Sequence, residues 1–206
     1  MKNPLHYQIS EYDCGPTSLL NGMSYLFQRE EIPPEVVRNI TLYCLDCFGA
    51  DGGSGKSGTS CTAMTFLSNW LNGVGQAGHL SVSSRHLSGK SVHLGQDSLL
   101  RDALRRGGAA VVLVDLEGWH YVLLTDIQGD AVYLFDPYYR DTPLDQPDIQ
   151  VVLDHPAAYN RIVPAHYLEQ EGQTLYAMGP LDHREAVLLF NTQTELTQDE
   201  TVEFII

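Results

Sequence analysis

The sequence predicts an α+β fold, with helices in the first half of the chain and antiparallel strands in the second. Before Gly107-Gly108, helical spacing of apolar residues dominates. Beyond it, AAVVLVDL, WHYVLLTD and AVYLFD read as strands separated by the turn signals Glu117-Gly118 and Gln128-Gly129. Helices precede strands instead of alternating with them, so repeated βα units are not expected. With 206 residues the chain can bury a sizeable core. It is read as a single domain, residues 1–107 a helical lobe and residues 108–206 a β lobe with a C-terminal extension.

Each element has its own justification. In the first helix Leu19, Leu20, Met23, Leu26 and Phe27 fall on one stripe. Pro16 is tolerated only in a first turn, which places Cys14 at or just before the first helical residue. Ile32-Pro33-Pro34 closes this helix and opens a second, with Val36, Val37, Ile40 and Cys44 inward. A glycine-rich loop, FGADGGSGKSG, leads to a third helix over about residues 60–71, with Thr59 or Ser60 as its cap. Residues 73–96 form a polar passage rich in Ser and Gly, and residues 97–106 a short helix. After the three strands, residues 137–173 are rich in proline and acids, with one short strand-like run, IQVVL. EAVLLF and TVEFII are late strands that extend the sheet.

Composition narrows the partners. Twelve Lys and Arg against 26 Asp and Glu give a formal charge of −14, which argues against nucleic acid and anionic membrane surfaces. MKNPLHYQIS has no apolar core, so no signal peptide is expected, and no stretch has the apolar length of a membrane span. Cys14, Cys44, Cys47 and Cys61 are read as free thiols in a reducing cytoplasm. Oligomeric state is not encoded in any pattern here.

A thiol at a helix start faces the positive end of the helix dipole, which favours the thiolate. Gly15 is read as room for a substrate carbonyl, and the N–H groups around Cys14 as a place for an oxyanion. A base and an orienting carboxylate stand in the strand half. With a three-residue loop at Ile127-Gln128-Gly129, Leu124 pairs with Val132 and Val122 with Leu134. His120 then lies directly opposite Asp136 on one face, at contact distance. A two-residue loop would put them on opposite faces, because the side-chain period is two.

Gln8, Asp13-Cys14-Gly15-Pro16, Gly118-Trp119-His120-Tyr121-Val122 and Asp136-Pro137 together resemble the papain-like cysteine peptidases. Among these the resemblance is to the group that removes double-glycine leaders from bacteriocin precursors, and to its soluble relatives. It covers about residues 5–140. It implies Cys14 as nucleophile, His120 as base, Asp136 as orienting group and the Gln8 amide as an oxyanion donor. The activity implied is hydrolysis of a peptide or small amide substrate. One alternative is an acyltransferase working through the same Cys14 thioester, and another is a binding module without turnover.

Other features are read as inert, and neither cofactor nor metal is expected. Ala50 to Ser57 approaches a phosphate-binding loop around Lys56, but a helical segment precedes it, its first glycine is missing and Asp51 would repel phosphate. Nucleotide binding there is a remote alternative. The glycine loop could instead border the active-site cleft. Cys44-x-x-Cys47 falls near a helix end with only Cys61 nearby, short of a four-ligand zinc set, so these thiols are taken as core residues. His79, His86 and His93 are taken as surface residues, with metal binding a remote alternative. Tyr138-Tyr139 could wall a substrate cleft or simply pack.

Overall fold

A computed structural model describes residues 2–44 and 56–197. Cys47, most of the glycine loop and the TVEFII run lie outside the described residues. The helices are α1 (Cys14–Leu26), α2 (Pro34–Cys44), α3 (Cys61–Gln76), α4 (Leu99–Arg105) and α5 (Ala165–Leu168). The strands are β1 (Val82–Ser88), β2 (Ala109–Asp115), β3 (Trp119–Gln128), β4 (Ala131–Phe135), β5 (Gln150–Val151), β6 (Arg161–Pro164) and β7 (Glu185–Asn191). All seven strands join one antiparallel sheet in the order β1-β7-β2-β3-β4-β6-β5. The α+β class is thus observed.

The alternation of side chains along the strands makes two cores. Val111, Leu123, Phe135, Val187 and Leu189 meet Leu19 and Met23 of α1, Ile40 of α2 and Leu67 and Leu71 of α3. Val112, Val122, Leu124, Leu134 and Leu188 form the other face, covered by Leu100 and Leu104 of α4 and by Leu168, Tyr176 and Met178 from the last third. Strand β2 is buried on both faces, which is why AAVVLVD reads as a continuous apolar run. No helix among the described residues is long and apolar enough to cross a membrane.

Several elements depart from the sequence reading. Strand β1 lies inside the polar passage, and it brings residues before Gly107 into the same sheet as those after it. Its contact with α3 is largely polar: Ser84 Oγ meets Ser68 Oγ at 2.7 Å, and the Asn72 side chain bonds both backbone groups of Ser84. Such a strand shows no apolar alternation. Helix α3 continues through Gly73 and Gly75, and a Cβ on Gly75 would lie 2.0 Å from the Val82 carbonyl oxygen. The approach of α3 to β1 therefore needs glycine there. Strand β7 is inserted between β1 and β2 rather than added at an edge, and β6 was not anticipated. Val37 is 44% exposed, one position off the buried Val36–Ile40–Cys44 stripe.

The β3–β4 register also differs. Gln128 pairs with Ala131, so the turn is the two-residue Gly129-Asp130. A shift at Thr125 then restores Leu124 opposite Leu134. This extra residue recovers the parity that a two-residue turn would have lost. The Tyr25 hydroxyl of α1 donates to the Thr125 carbonyl at 3.0 Å, satisfying the bulged backbone from outside the sheet. Extended by two residues, the register sets Asp136 opposite Val122 and diagonal to His120, on the same face.

Candidate active site

Cys14 is the first residue of α1 and is buried, 6% exposed. The Asp13 carboxylate does not cap the helix. It accepts hydrogen bonds from the Ile9 and Ser10 N–H groups and from Ser10 Oγ, folding residues 9–13 into a closed loop before the thiol. One turn on, Ser18 Oγ donates to the Tyr121 carbonyl at 3.0 Å, which ties the helix start to the strand beside His120.

The space beside Gly15 belongs to the protein rather than to a substrate. A Cβ there would lie 2.2 Å from Thr59 Oγ1 and 2.7 Å from Thr59 Cβ. Thr59, the residue that follows the glycine loop, thus packs on the turn that carries Cys14. Gly15→Ala should cost about 1–3 kcal/mol through this overpacking, read as a lower urea midpoint at unchanged slope. An unchanged midpoint would mean that Thr59 moves aside freely.

His120, the second residue of β3, places Nε2 2.8 Å from Asp136 Oδ1. Burial alone would push the imidazole down, but the Asp136 hydrogen bond, the Cys14 thiol and the charges of both outweigh it. His120 is pushed up to about 9. With Nε2 committed to Asp136, Nδ1 is the ring nitrogen left for another partner.

Asp136 sits just past β4, almost wholly enclosed. Its Oδ1 also accepts the Tyr138 N–H at 2.8 Å, and its Oδ2 accepts the Tyr176 hydroxyl at 2.7 Å. Burial works to raise its pKa. The hydrogen bond and charge of His120, then the bonds from Tyr176 and Tyr138, outweigh burial and hold the carboxyl below its usual range. Asn160 clamps the backbone on both sides, accepting from the Asp136 N–H at 2.7 Å and donating to its carbonyl at 2.8 Å. Buried Arg161 donates to the Tyr176 hydroxyl and to the Asn160 and Tyr138 carbonyls.

Asn160, Arg161 and Tyr176 are therefore supports that sequence reasoning missed. The faint signal was a charged residue heading the apolar pair Ile162-Val163; Tyr176 offered none. Its backbone has φ +62°, a strained conformation for a bulky side chain, held by bonds to Asp115 on either side of the Tyr176–Ala177 peptide.

Gln8 is brought to the same place by its N–H, which donates to the Pro137 carbonyl at 2.9 Å. Its Nε2 donates to the Ser10 carbonyl at 2.7 Å, and its buried Oε1 has no partner among the described residues. Gln8, His120 and Asp136 share a cleft of about 750 Å³ with Trp119, Tyr138 and Tyr176. Glu11, Asp115, Glu117 and Asp145 line it against a single peripheral cation, Arg140, and the enclosed Arg161. Tyr138 thus lines the cleft, whereas Tyr139 packs edge-on against Tyr7 at 4.9 Å.

The remaining thiols and imidazoles sort differently from their sequence reading. Cys44 is buried as expected, with Sγ 3.5 Å from Thr59 Oγ1. Cys61 is exposed rather than in the core, because it opens α3 just after its Ser60 cap. His86 is largely covered and bonded to Glu185, not free at the surface. Helix α3 begins beyond Lys56-Ser57, not at them.

No protein-family model matches the chain, and no curated protein matches it. Among solved structures, the chain is similar to a double glycine motif protease from an AMS/PCAT transporter, determined in complex with the leader peptide. The two are 12% identical with a TM-score of 0.42, over 91% of this chain and 89% of that one.

Proposed function

We propose that this chain is a papain-like cysteine hydrolase that cleaves a peptide or small amide through Cys14, His120 and Asp136. The observation that carries the proposal is a single imidazole acted on by both a thiol at a helix start and a buried carboxylate, and raised to about 9. His120 accepts the Cys14 proton, and the resulting thiolate attacks the substrate carbonyl. The Cys14 N–H, which has no intrahelical acceptor at the first position of α1, stabilises the oxyanion. The Gln8 amide joins it after leaving the Ser10 carbonyl. His120 then protonates the departing amine, leaving an acyl thioester on Cys14. Water, deprotonated by His120, attacks that thioester, and Cys14 is released with the free acid. The acidic walls of the cleft suit neutral or basic substrates over anionic ones.

Limiting iodoacetamide at mildly acidic pH tests the activated thiol. Cys61 is the more accessible of the two, so accessibility alone would label Cys61 first. Activation by His120 reverses the order, and peptide mass mapping should find Cys14 alkylated first; preferential labelling of Cys61 or Cys44 removes the nucleophile from the proposal. A chain loaded with acyl group at Cys14 should return free acid in the presence of millimolar amines. Amide products in excess over acid would reassign it as an acyltransferase.

A further inference from the structure

We propose that Cys61, His86 and Glu185, none of which lines the substrate cleft, form a binding site for a zinc-class divalent cation at the sheet edge. The three residues come from α3, β1 and β7 and are far apart in sequence. Their convergence follows from the packing of these elements. Cys61 lies on the same face of α3 as Ser68 and Asn72, which bond Ser84 of β1. His86 is two residues beyond Ser84 and so points to the same side of the strand. In the β1–β7 register His86 faces Val187, and Glu185 stands two residues from it on that same side.

The donor atoms meet closely. Cys61 Sγ lies 3.8 Å from His86 Nε2, and His86 Nε2 lies 3.0 Å from Glu185 Oε1. All three donor atoms are within 4.8 Å of one another. Tetrahedral zinc with ordinary bond lengths separates its ligand atoms by roughly 3.3–3.6 Å, so rotamer adjustments of about an ångström or less seat the ion. Thiolate, imidazole and carboxylate together favour zinc or cobalt over the hard cations calcium and magnesium.

A second Cys–His–Glu relay is the rival explanation, and the geometry disfavours it. A relay uses one imidazole nitrogen for the thiol and the other for the carboxylate. Here the sulfur and the carboxylate oxygen both approach Nε2, as ligands around a common centre do. Glu185 is buried, and its second oxygen accepts the Tyr121 hydroxyl at 3.0 Å, leaving Oε1 directed at the site. Cys61 is exposed, which gives the ion a path in and leaves a coordination position for water. Thr59, two residues before Cys61, packs on Gly15. A cation held at Cys61 therefore also fixes the segment that covers the Cys14 turn.

The test uses the full chain carrying Cys14→Ala, so that the active-site thiol does not compete, stripped with a chelator and titrated with zinc and with cobalt. One cation per chain should bind at micromolar or lower concentration, and the cobalt form should show a thiolate-to-metal charge-transfer band. Cys61→Ala should abolish that band, His86→Ala should weaken binding at least tenfold, and Tyr121→Phe should weaken it by about 10-fold through its effect on Glu185. In the chain with native Cys61, zinc should slow alkylation of Cys61 at least tenfold, a readout that needs no substitution in the site. Absence of stoichiometric binding overturns the proposal. So does binding that persists unchanged in both Cys61→Ala and His86→Ala, or alkylation of Cys61 indifferent to zinc.

Discussion

Cys14→Ala and His120→Ala should each lower turnover of any accepted amide by on the order of 10⁴–10⁶-fold. Neither substitution leaves the other partner anything to do. Without the thiol no thioester forms, and without the imidazole the thiol keeps its proton and the departing amine receives none. The two losses should therefore not multiply, and the double variant should be no slower than about the worse single one. Turnover by Cys14→Ala above about a hundredth of the native rate, on a substrate cleaved by the native chain, would place the chemistry elsewhere.

Asp136→Asn should cost on the order of 10³–10⁴ in kcat and move the pH profile in a defined direction. Asp136 holds His120 through Oδ1 and is itself held by Tyr138, Tyr176 and Asn160. An amide keeps the shape but presents a donor where only donors point at it, and it leaves buried Arg161 without the carboxylate at the end of its chain of bonds. The imidazolium is needed to protonate the leaving amine, so in the native chain kcat/KM should fall as pH rises through about 9. The amide variant loses the Asp136 charge and hydrogen bond that raise His120 and keeps the burial that lowers it, so this basic limb should shift to markedly lower pH. Stability follows the same sign. A histidine raised above its unfolded value of about 6.5 stabilises the fold fully below that pH, and the contribution is lost as pH rises through about 9. An alkaline limb still near 9 in Asp136→Asn would show that Asp136 does not hold the proton on His120.

Helices α1 to α4 and strands β2, β3, β4 and β7 were legible because each rests on a local regularity. Cys14 was placed at a helix start by Pro16 two residues later, since a proline ring fits only a first turn. The His120–Asp136 pairing was also anticipated, but by an incorrect route. The turn has two residues, and the face is recovered by the bulge at Thr125. The Thr125 carbonyl at that bulge is bonded by a hydroxyl from α1 far away in the chain, a contact that no reading of the hairpin alone could include.

Patterns of apolar spacing marked helices α1 to α4, strands β2, β3, β4 and β7 and most of their buried faces, because burial of one face imposes a period on the residues that form it. The polar contacts obey no period. Ser84 reads as loop until Ser68 and Asn72 of α3 are packed against it, and Asn160, Arg161 and Tyr176 read as ordinary polar residues until their donors are found on Asp136 or its neighbours. Gly15 looks like space for a substrate until Thr59 fills it. His86 and Cys61 look unrelated until α3 lies across β1. A hydrogen bond or ion site is specified by two or three atoms within a few ångströms, and chain separation says nothing about that distance until the layers have packed.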